Sequence, residues 1–536
     1  MSNAQQARRG SQARSAAGDR NPWLIAVVVS IATFMLVLDT SIANVALINI
    51  AGDLAAGVDE ATWIITTYLV ANAVIIPVSG WLASVIGRKR YYMLCVAGFT
   101  ASSFLCGIAW NLQSLIFFRI LQGLSGGGMA PSEQSILADT FPPEKRAQAF
   151  ALYGIAVIIA PTIGPTLGGW LTDNFSWHWI FFINVPFGIL SLSLVQWLLV
   201  EPPALQEDRR ERLQHGLRVD WVGFVLVALW LGCLEIVLDQ GQRDDWFAST
   251  FIIAFTAVSA ISFLLFLPWE FSRKDPIVDV KLVFTRQFGT AFGVMLGVGA
   301  ILFGSTQILP QMLETAFGYT AYLSGLALMP GGLAMLVMMP LAGQVTNWVQ
   351  PKYLIAAGTF IIALAMWHMT SLEANATFGF FSWARIYQMV GLPFLFIPIN
   401  TAAYADLPPD KTNQASALIN VARNIGGSFG ISLANTELAR RTQFHHARLV
   451  EQVFPSSETY HHVAQQVTQY FVHKGLSPAI AQQYALGWIA QTIGSQSTLL
   501  AYIDVFWIAG IFAVIMVPLI LLFLRPINAA SAPAVH

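Results

Sequence analysis

The chain has 536 residues, of which 56% are hydrophobic and only 11% are charged, and its formal net charge is −1. Soluble globular domains carry about 25% charged residues, so this composition excludes a soluble globular protein and predicts one that crosses a membrane many times. The three cysteines, Cys95, Cys106 and Cys233, lie in apolar runs, and their spacing suits neither a disulfide framework nor a metal site.

The N-terminal segment is polar and basic, and we interpret residues 1–22 as a disordered cytoplasmic tail. The apolar run that follows is too long to be the core of a signal peptide. A helix needs about 20 mostly apolar residues to cross a bilayer. Fourteen such runs follow in chain order, near 23–47, 60–84, 92–110, 112–137, 148–172, 178–200, 220–239, 249–269, 287–312, 320–343, 352–370, 378–400, 413–436 and 499–524.

Lysine and arginine are unevenly distributed among the segments that join these runs. If the N-terminus is cytoplasmic, the inside segments carry 20 of these residues and the short outside loops carry one, Arg243. The positive-inside rule therefore places both termini in the cytoplasm. It makes 201–219 a cytoplasmic linker, 270–286 a cytoplasmic loop and 526–536 a cytoplasmic tail, and it leaves 437–498 as a long outside segment.

The sequence contains an internal repeat. The stretch RILQGL, from Arg119, leads to FPPEKRAQA, and 266 residues later RIYQMV, from Arg385, leads to LPPDKTNQA. A weaker match, shifted by 263 residues, aligns GWLASVIGRKRYY with GQVTNWVQPKYL. Residues 23–200 and 287–525 are therefore predicted to be two parallel six-helix halves, with two inserted helices in 220–269. The predicted fold is an all-α membrane protein with 14 transmembrane helices, and parallel halves typically hold a substrate site between them near the membrane midplane.

Five stretches resemble a known family of membrane proteins. They are LDTSIANVAL from Leu38, GWLASVIGRKR from Gly80, RILQGLSGG from Arg119, GIAVIIAPTIGPTLGG from Gly154 and WIFFINVPFG from Trp179. Together they resemble the fourteen-helix drug:proton antiporter branch of the major facilitator superfamily, over residues 23–525. The resemblance implies alternating access between the two halves and export driven by the proton gradient, with no cofactor.

Asp39 and Arg119 lie inside predicted spans of the N-terminal half. A charged side chain at the centre of a bilayer costs about 2.5–3.5 kcal/mol on insertion scales, which favours a functional role. The resemblance places the first and fourth helices beside the central cavity. Asp39 is therefore the predicted proton carrier and Arg119 its modulator, since arginine does not lose its proton. The alternative is a static polar network in which Asp39 bonds Thr40, Ser41 or Asn44.

Two motifs have predicted roles in gating. The resemblance assigns them to an inside turn and to the fifth span, with the residues Gly80, Gly87, Arg88, Lys89, Arg90, Gly154, Pro161, Gly164, Pro165, Gly168 and Gly169. Glycines four residues apart lie on one helix face and allow close packing, while prolines bend a helix. The alternatives are contact with lipid headgroups for the turn and ordinary helix packing for the span. Ser84 stands where the family usually has aspartate, so the family's charge pairing is not carried over whole.

Other polar residues also lie within the predicted spans. The possible coupling or substrate residues are Glu235, Glu133, Arg423, Arg385 and Asn44. Structural pairing is the preferred interpretation for the two arginines, and a position at the cytoplasmic interface is the alternative for Glu133. The glycines 126–128 are not a phosphate-binding loop, because no Lys-Ser/Thr follows them and they lie within a span. The sequence contains no recognisable nucleotide-binding domain, which favours an ion gradient as the energy source.

The outside segment 437–498 is rich in glutamine and histidine. Its helical periodicity predicts short amphipathic helices over the outer mouth. We expect these helices to dock a periplasmic adaptor, and a solvated cap is the alternative. The resemblance implies an adaptor and an outer-membrane channel as partners, with the chain in the inner membrane of a Gram-negative bacterium. The histidine pairs 445–446 and 461–462 are a weak metal signal, and we expect no metal.

The leading hypothesis is a secondary active exporter that exchanges inward protons for hydrophobic or amphipathic toxic compounds. Two transport alternatives stay open, a dedicated exporter of one amphiphile such as a fatty acid or siderophore, and a proton-coupled importer. A membrane enzyme is disfavoured because the sequence has no nucleophile constellation or metal cluster. The predicted partners are thus hydrophobic small molecules, protons and membrane lipids, and nucleic acid is not expected to bind.

Overall fold

The computed structural model describes residues 21–201, 206, 210, 220–273, 276–404, 407, 411–454 and 457–525. Nearly all of the predicted N-terminal tail, most of the linker 201–219 and the tail 526–536 lie outside the described residues. The described part of the chain contains helices and no strand.

The described residues form seventeen helices of twelve residues or more. In chain order they are α1 (Pro22–Asp53), α2 (Trp63–Ile86), α3 (Arg88–Gly107), α4 (Leu112–Gly126), α5 (Met129–Thr140), α6 (Pro143–Asn174), α7 (Asn184–Leu198), α8 (Trp221–Gln240), α9 (Thr250–Ser272), α10 (Arg286–Thr315), α11 (Ala321–Val345), α12 (Pro351–Met369), α13 (Phe378–Gly391), α14 (Pro393–Tyr404), α15 (Thr412–Gln452), α16 (Glu458–His473) and α17 (Pro478–Phe523). Shorter helical turns cover Val58–Ala61, Trp179–Phe182, Trp246–Ala248 and Val280–Phe284.

All fourteen predicted apolar runs fall on helices. Ten helical segments of the described chain are long and apolar enough to cross a membrane, and α6 adds an eleventh if its two parts, bent by 43°, count as one span. Helices α4 and α5 are individually short, while α3 and α15 carry more polar residues. The all-helical fold is therefore established, and the total of fourteen spans and the orientation of the termini stay predictions.

Three predicted spans are divided in the structure. The run 112–137 breaks between α4 and α5 at Gly127 and Gly128, and the runs 178–200 and 378–400 break at Ile183 and Leu392. The first break has a packing reason, since a Cβ on Gly127 would lie 2.7 Å from the backbone oxygen of Asn72. Glycine at this position therefore allows α2 to approach the backbone between α4 and α5 closely.

The outside segment 437–498 differs from the prediction of a set of separate short helices. Helix α15 continues without a break to Gln452, and α17 already begins at Pro478. Only α16, Glu458–His473, is a separate amphipathic helix. Apart from α16 and its connections, this segment is therefore built from extensions of two long helices.

The two halves contact each other through repeat-related helix pairs. Helix α2 packs on α15, and a Cβ on Gly80 would lie 2.8 Å from the backbone oxygen of Asn413. Helix α6 packs on α11, where a Cβ on Gly343 would lie 3.4 Å from the backbone oxygen of Ala147. The 263-residue repeat shift relates Gly80 to Gly343. Both contacts lie at the helix ends that carry the predicted cytoplasmic loops.

A larger side chain at Gly80 should weaken the contact between the halves. We expect Gly80→Val to lower the melting temperature of the purified protein, because overpacking of a tight contact costs about 1–3 kcal/mol. Gly169→Ala is the matched control, since a Cβ on Gly169 would meet nothing within 4 Å. Equal melting temperatures for Gly80→Val and the wild type would contradict this contact.

Candidate functional site

A cavity of about 210 Å³ lies between the two halves. Its walls are mainly apolar and aromatic, with a few polar side chains. The N-terminal half contributes residues such as Leu36, Thr40, Tyr68, Asn72 and Tyr153, and the C-terminal half contributes Phe303, Thr306, Arg385, Met389 and Arg423. Apolar walls with a few polar groups are typical of sites that bind small molecules.

Three buried side chains donate hydrogen bonds to the carboxylate of Asp39. Its Oδ2 accepts a hydrogen bond from Arg119 Nη1 at 2.7 Å, and its Oδ1 accepts from Gln122 Nε2 at 2.8 Å and Asn184 Nδ2 at 2.7 Å. Asp39 is 2% exposed, and Arg119, Gln122 and Asn184 are completely buried. The predicted neighbourhood of Asp39 and Arg119 is therefore present as a direct ion pair.

The helices fix the geometry of this pair. Arg119 and Gln122 are three residues apart on α4, so they share a face, and Arg119 Nη1 donates to Gln122 Oε1 at 2.8 Å. The Nε of Arg119 donates to the backbone oxygen of Ile64 at 3.3 Å. The guanidinium carbon lies 4.2 Å from the centre of the Tyr68 ring, a cation–π contact. Arg119 is thus held by α4 and α2 together.

Tyr68 contacts both the ion pair and the cavity. Its ring packs on the guanidinium of Arg119, and the same residue lines the cavity wall. Neither Asp39 nor Arg119 lines that wall. Tyr68 is therefore the cover between the cavity and the buried charges.

The C-terminal half contains a second copy of this arrangement without the carboxylate. Arg385 Nη1 donates to Gln388 Oε1 at 2.8 Å, the same bond as between Arg119 and Gln122. Gln388 Nε2 donates to Ser305 Oγ, and Ser305 is the residue that the 266-residue repeat shift aligns with Asp39. The repeat therefore keeps the arginine and the glutamine but replaces the acid by a hydroxyl group.

The structural pairing predicted for Arg385 and Arg423 does not involve an ion pair in the described part of the chain. Neither guanidinium lies within 4 Å of a described carboxylate oxygen, and two buried nitrogens of Arg423, Nε and Nη1, have no hydrogen-bond partner. Glu133 is completely buried, and its Oε1 accepts from the Tyr92 hydroxyl at 3.2 Å. Glu133 interacts electrostatically with Arg423 without bonding to it.

Glu235 and Asn44 lie away from the ion pair. Glu235, on the inserted helix α8, accepts from the Ser428 hydroxyl at 2.8 and 2.9 Å and borders a cavity of about 90 Å³ that adjoins the central one. Asn44 is exposed and donates to the backbone oxygen of Thr40 at 3.0 Å. The structure therefore does not bring Glu235 or Asn44 into the Asp39 cluster.

The inside turn has an acid partner despite Ser84. Gly87 has a φ of 96°, a conformation that glycine adopts without strain. Arg88 Nη1 forms an ion pair with Asp139 and also donates to the backbone oxygen of Ser135 at 3.2 Å. Asp139 on α5 thus supplies the charge that Ser84 does not, and Ser84 itself donates to its own helix.

The adjoining basic residues of the turn differ in their contacts. Lys89 Nζ donates to the backbone oxygen of Gln196 at 2.8 Å. Arg90, the last residue of the basic run, is exposed. Arg88 therefore anchors the turn to the end of α5, and Lys89 anchors it to the end of α7.

The glycines of the fifth-span motif bring α6 against α1 beside Asp39. A Cβ on Gly164 would lie 2.7 Å from Ser41 Cβ, and one on Gly168 would lie 2.8 Å from Ile42 Cγ2. Pro161 lines the central cavity. The side chain of Pro165 lies outside the described part of the structure.

The other two glycines of this motif do not contact α1. Gly154 faces Met339 of α11 in the opposite half, and a Cβ on Gly169 would meet nothing within 4 Å. The motif therefore packs on both halves, and Gly169 takes no part in that packing.

These features define a membrane transporter built from two helical repeats around a central cavity. The chain belongs to the Major Facilitator Superfamily, whose family model matches residues 29–431. It is a transporter and not an enzyme.

Curated relatives match almost the whole chain. The chain is 36% identical to the multidrug export protein EmrB of Escherichia coli (strain K12), over 92% of this chain and 94% of the relative. It is 35% identical to the fatty acid resistance protein FarB of Neisseria gonorrhoeae, over 95% of this chain and 97% of the relative.

Solved structures share the fold at low sequence identity. A double Trp mutant of XylE has a TM-score of 0.57 at 13% identity, covering 95% of this chain and 97% of that one. The human organic anion transporter MFSD10 has a TM-score of 0.56 at 12% identity, covering 92% and 99%. These likenesses support the two-half architecture alone.

Removal of one partner of the ion pair should destabilise the protein strongly. We expect Asp39→Asn to lower the free energy of unfolding by about 3–5 kcal/mol, because it leaves the Arg119 guanidinium buried without a counter-charge. The double variant Asp39→Asn with Arg119→Gln should recover most of this loss, which thermal unfolding of the purified variants would measure. A single variant as stable as the wild type would argue against the ion pair.

Proposed function

We propose that the chain is a secondary active exporter of hydrophobic and amphipathic toxic compounds, driven by inward protons through alternating access. The observation that carries the proposal is the buried Asp39–Arg119 pair, one side chain away from the central cavity. Charged groups at such depth in a membrane protein usually mark ion or proton pathways. The names of the relatives, multidrug export and fatty acid resistance proteins, support the direction of transport and the kind of substrate.

Protonation of Asp39 would change the bonds that hold the cluster together. An ionised carboxylate only accepts hydrogen bonds, whereas a protonated one also donates. A proton on Asp39 would therefore remove the counter-charge of Arg119 and weaken the bonds that Asp39 accepts from Arg119, Gln122 and Asn184. Because these residues lie on α1, α4 and α7, the proton would change the contacts between three helices of the N-terminal half.

In this proposal, the Tyr68 ring controls access from the cavity to Asp39. While its ring covers Arg119, water in the cavity has no open path to Asp39. A movement that lifts the ring would expose Asp39 to the cavity and permit proton exchange. The contacts of α2 with α15 and of α6 with α11 are where the halves would separate and close.

The same proposal includes a setting and partners. We infer an inner-membrane location, the proton gradient as the energy source, and a periplasmic adaptor with an outer-membrane channel. The helices α15, α16 and α17 extend together on the predicted outside, and they expose the aromatic residues Phe444, Tyr470, Tyr484 and Trp488. Exposed aromatic side chains are typical of protein interfaces.

A reconstituted system tests the proton-coupling role of Asp39. In liposomes that carry a proton gradient, we expect a lipophilic toxic compound to trigger proton flux in the wild type but not in Asp39→Asn. The stability-matched double variant Asp39→Asn with Arg119→Gln should also lack flux. Glu314→Gln, the same change at an exposed carboxylate, should retain it. Unchanged flux in Asp39→Asn would move the proton to Glu235 or Glu133.

Removal of the cover should uncouple proton movement from substrate. We expect Tyr68→Ala to raise the proton leak without substrate several-fold, because it opens the path between the cavity and Asp39. Tyr68→Phe keeps the ring over Arg119 and should leak no more than the wild type. The leak is measured as the decay of a pH gradient in proteoliposomes, and equal decay rates for all three proteins would refute the gate.

A further inference from the structure

The second copy of the arginine motif differs from the first at two positions, and both differences affect Arg385. At the position equivalent to Asp39, the C-terminal half has Ser305, which bonds Gln388. The 263-residue shift, which relates the second span of each half, aligns Tyr68 with Gly331. Gly331 contacts Arg385 directly, since a Cβ there would lie 2.9 Å from the Arg385 backbone oxygen.

These differences leave the Arg385 guanidinium without an aromatic cover, and no carboxylate of the described residues forms an ion pair with it. Arg119 has both an acid partner and an aromatic cover, and it is completely buried. Arg385 lines the central cavity and is 8% exposed. Its described polar partners are neutral, Gln388 Oε1 at 2.8 Å and Thr306 Oγ1 at 3.4 Å.

A second cation lines the same cavity. Arg423 of α15 is among the cavity residues, and its Nε and Nη1 have no hydrogen-bond partner. Both guanidiniums therefore border one mainly apolar cavity, and the N–H donors of a guanidinium match carboxylate, sulfonate or phosphate oxygens. The apolar and aromatic walls suit the rest of an amphipathic molecule.

We propose that Arg385, with Arg423, binds the anionic group of amphipathic substrates, and that this group occupies the place that the Asp39 carboxylate has in the N-terminal half. The inference rests on the proposed export function and names its substrate class, lipophilic anions. The N-terminal copy of the motif then holds a built-in carboxylate for the proton, and the C-terminal copy takes its carboxylate from the substrate.

Substitution of Ser305 tests this directly. Ser305→Asp would supply the missing carboxylate within the chain and neutralise Arg385, while Ser305→Asn adds nearly the same volume without charge. The probes are decanesulfonate and decyltrimethylammonium, which share one alkyl chain and carry permanent opposite charges, so neither carries protons by itself. Binding is measured to the purified full-length protein in lipid nanodiscs, with empty nanodiscs as the background.

We expect the wild type to bind decanesulfonate, and Ser305→Asp to weaken this binding about tenfold or more, because hydrogen bonds to charged groups are worth at least that factor. Decyltrimethylammonium should bind Ser305→Asp at least as well as the wild type. Ser305→Asn should change either affinity less than about threefold. Arg385→Gln should weaken the binding of decanesulfonate but not that of decyltrimethylammonium. This second variant keeps the test valid if Ser305→Asp does not fold.

The opposite results would overturn the assignment. Decanesulfonate bound equally by the wild type, Ser305→Asp and Arg385→Gln would show that Arg385 does not hold the anion. If Ser305→Asp and Arg385→Gln weakened the binding of both probes equally, the effect would be structural and Arg385 would not recognise charge. Selective anion binding without proton flux in liposomes would refute antiport but leave the binding site intact, so the two proposals fail separately.

Discussion

The rest of the transport site depends on a single constraint, the burial of the Asp39 carboxylate away from water. A charge in this position is stable only if it is paired and hydrogen-bonded, and three side chains from two helices, Arg119 and Gln122 of α4 and Asn184 of α7, meet that need. Gly164 and Gly168 also contribute to this burial, because they let α6 lie directly against the turn of α1 that follows Asp39. The cluster therefore fixes how the helices of the N-terminal half pack.

The two halves use one scaffold for different chemistry. The bond from arginine to glutamine is 2.8 Å long in both copies, so the scaffold is preserved. Two positions differ. Asp39 of the N-terminal half is replaced by Ser305 in the C-terminal half, and Tyr68, which covers the arginine, is replaced by Gly331. An ion pair shielded from the cavity would allow proton transfer without leakage, whereas a guanidinium that lines the cavity would allow a ligand to bind and leave.

Much of the architecture followed from the sequence, because hydropathy and an internal repeat are long-range patterns that single residues do not disturb. The closeness of Asp39 and Arg119 was expected from the family resemblance, which places the first and fourth helices beside one cavity. The roles of Asn184 and Tyr68 were not, although both lay in apolar stretches, because nothing in their types reveals which helix they face. The breaks at Gly127 and Leu392 depend on contacts with other helices and leave no periodic signal.

The proposed coupling between substrate and proton would depend on where Arg385 and Tyr68 lie. Arg385 and the cover Tyr68 line the same cavity, so a ligand that fills the cavity touches the wall behind which Asp39 is buried. An anionic ligand would place its charge in the C-terminal half and its apolar part against the N-terminal wall. Occupancy could then shift the Tyr68 ring only by changing how the two halves pack, which is the movement that alternating access requires. The asymmetry of the repeat thereby links the two sites through one cavity.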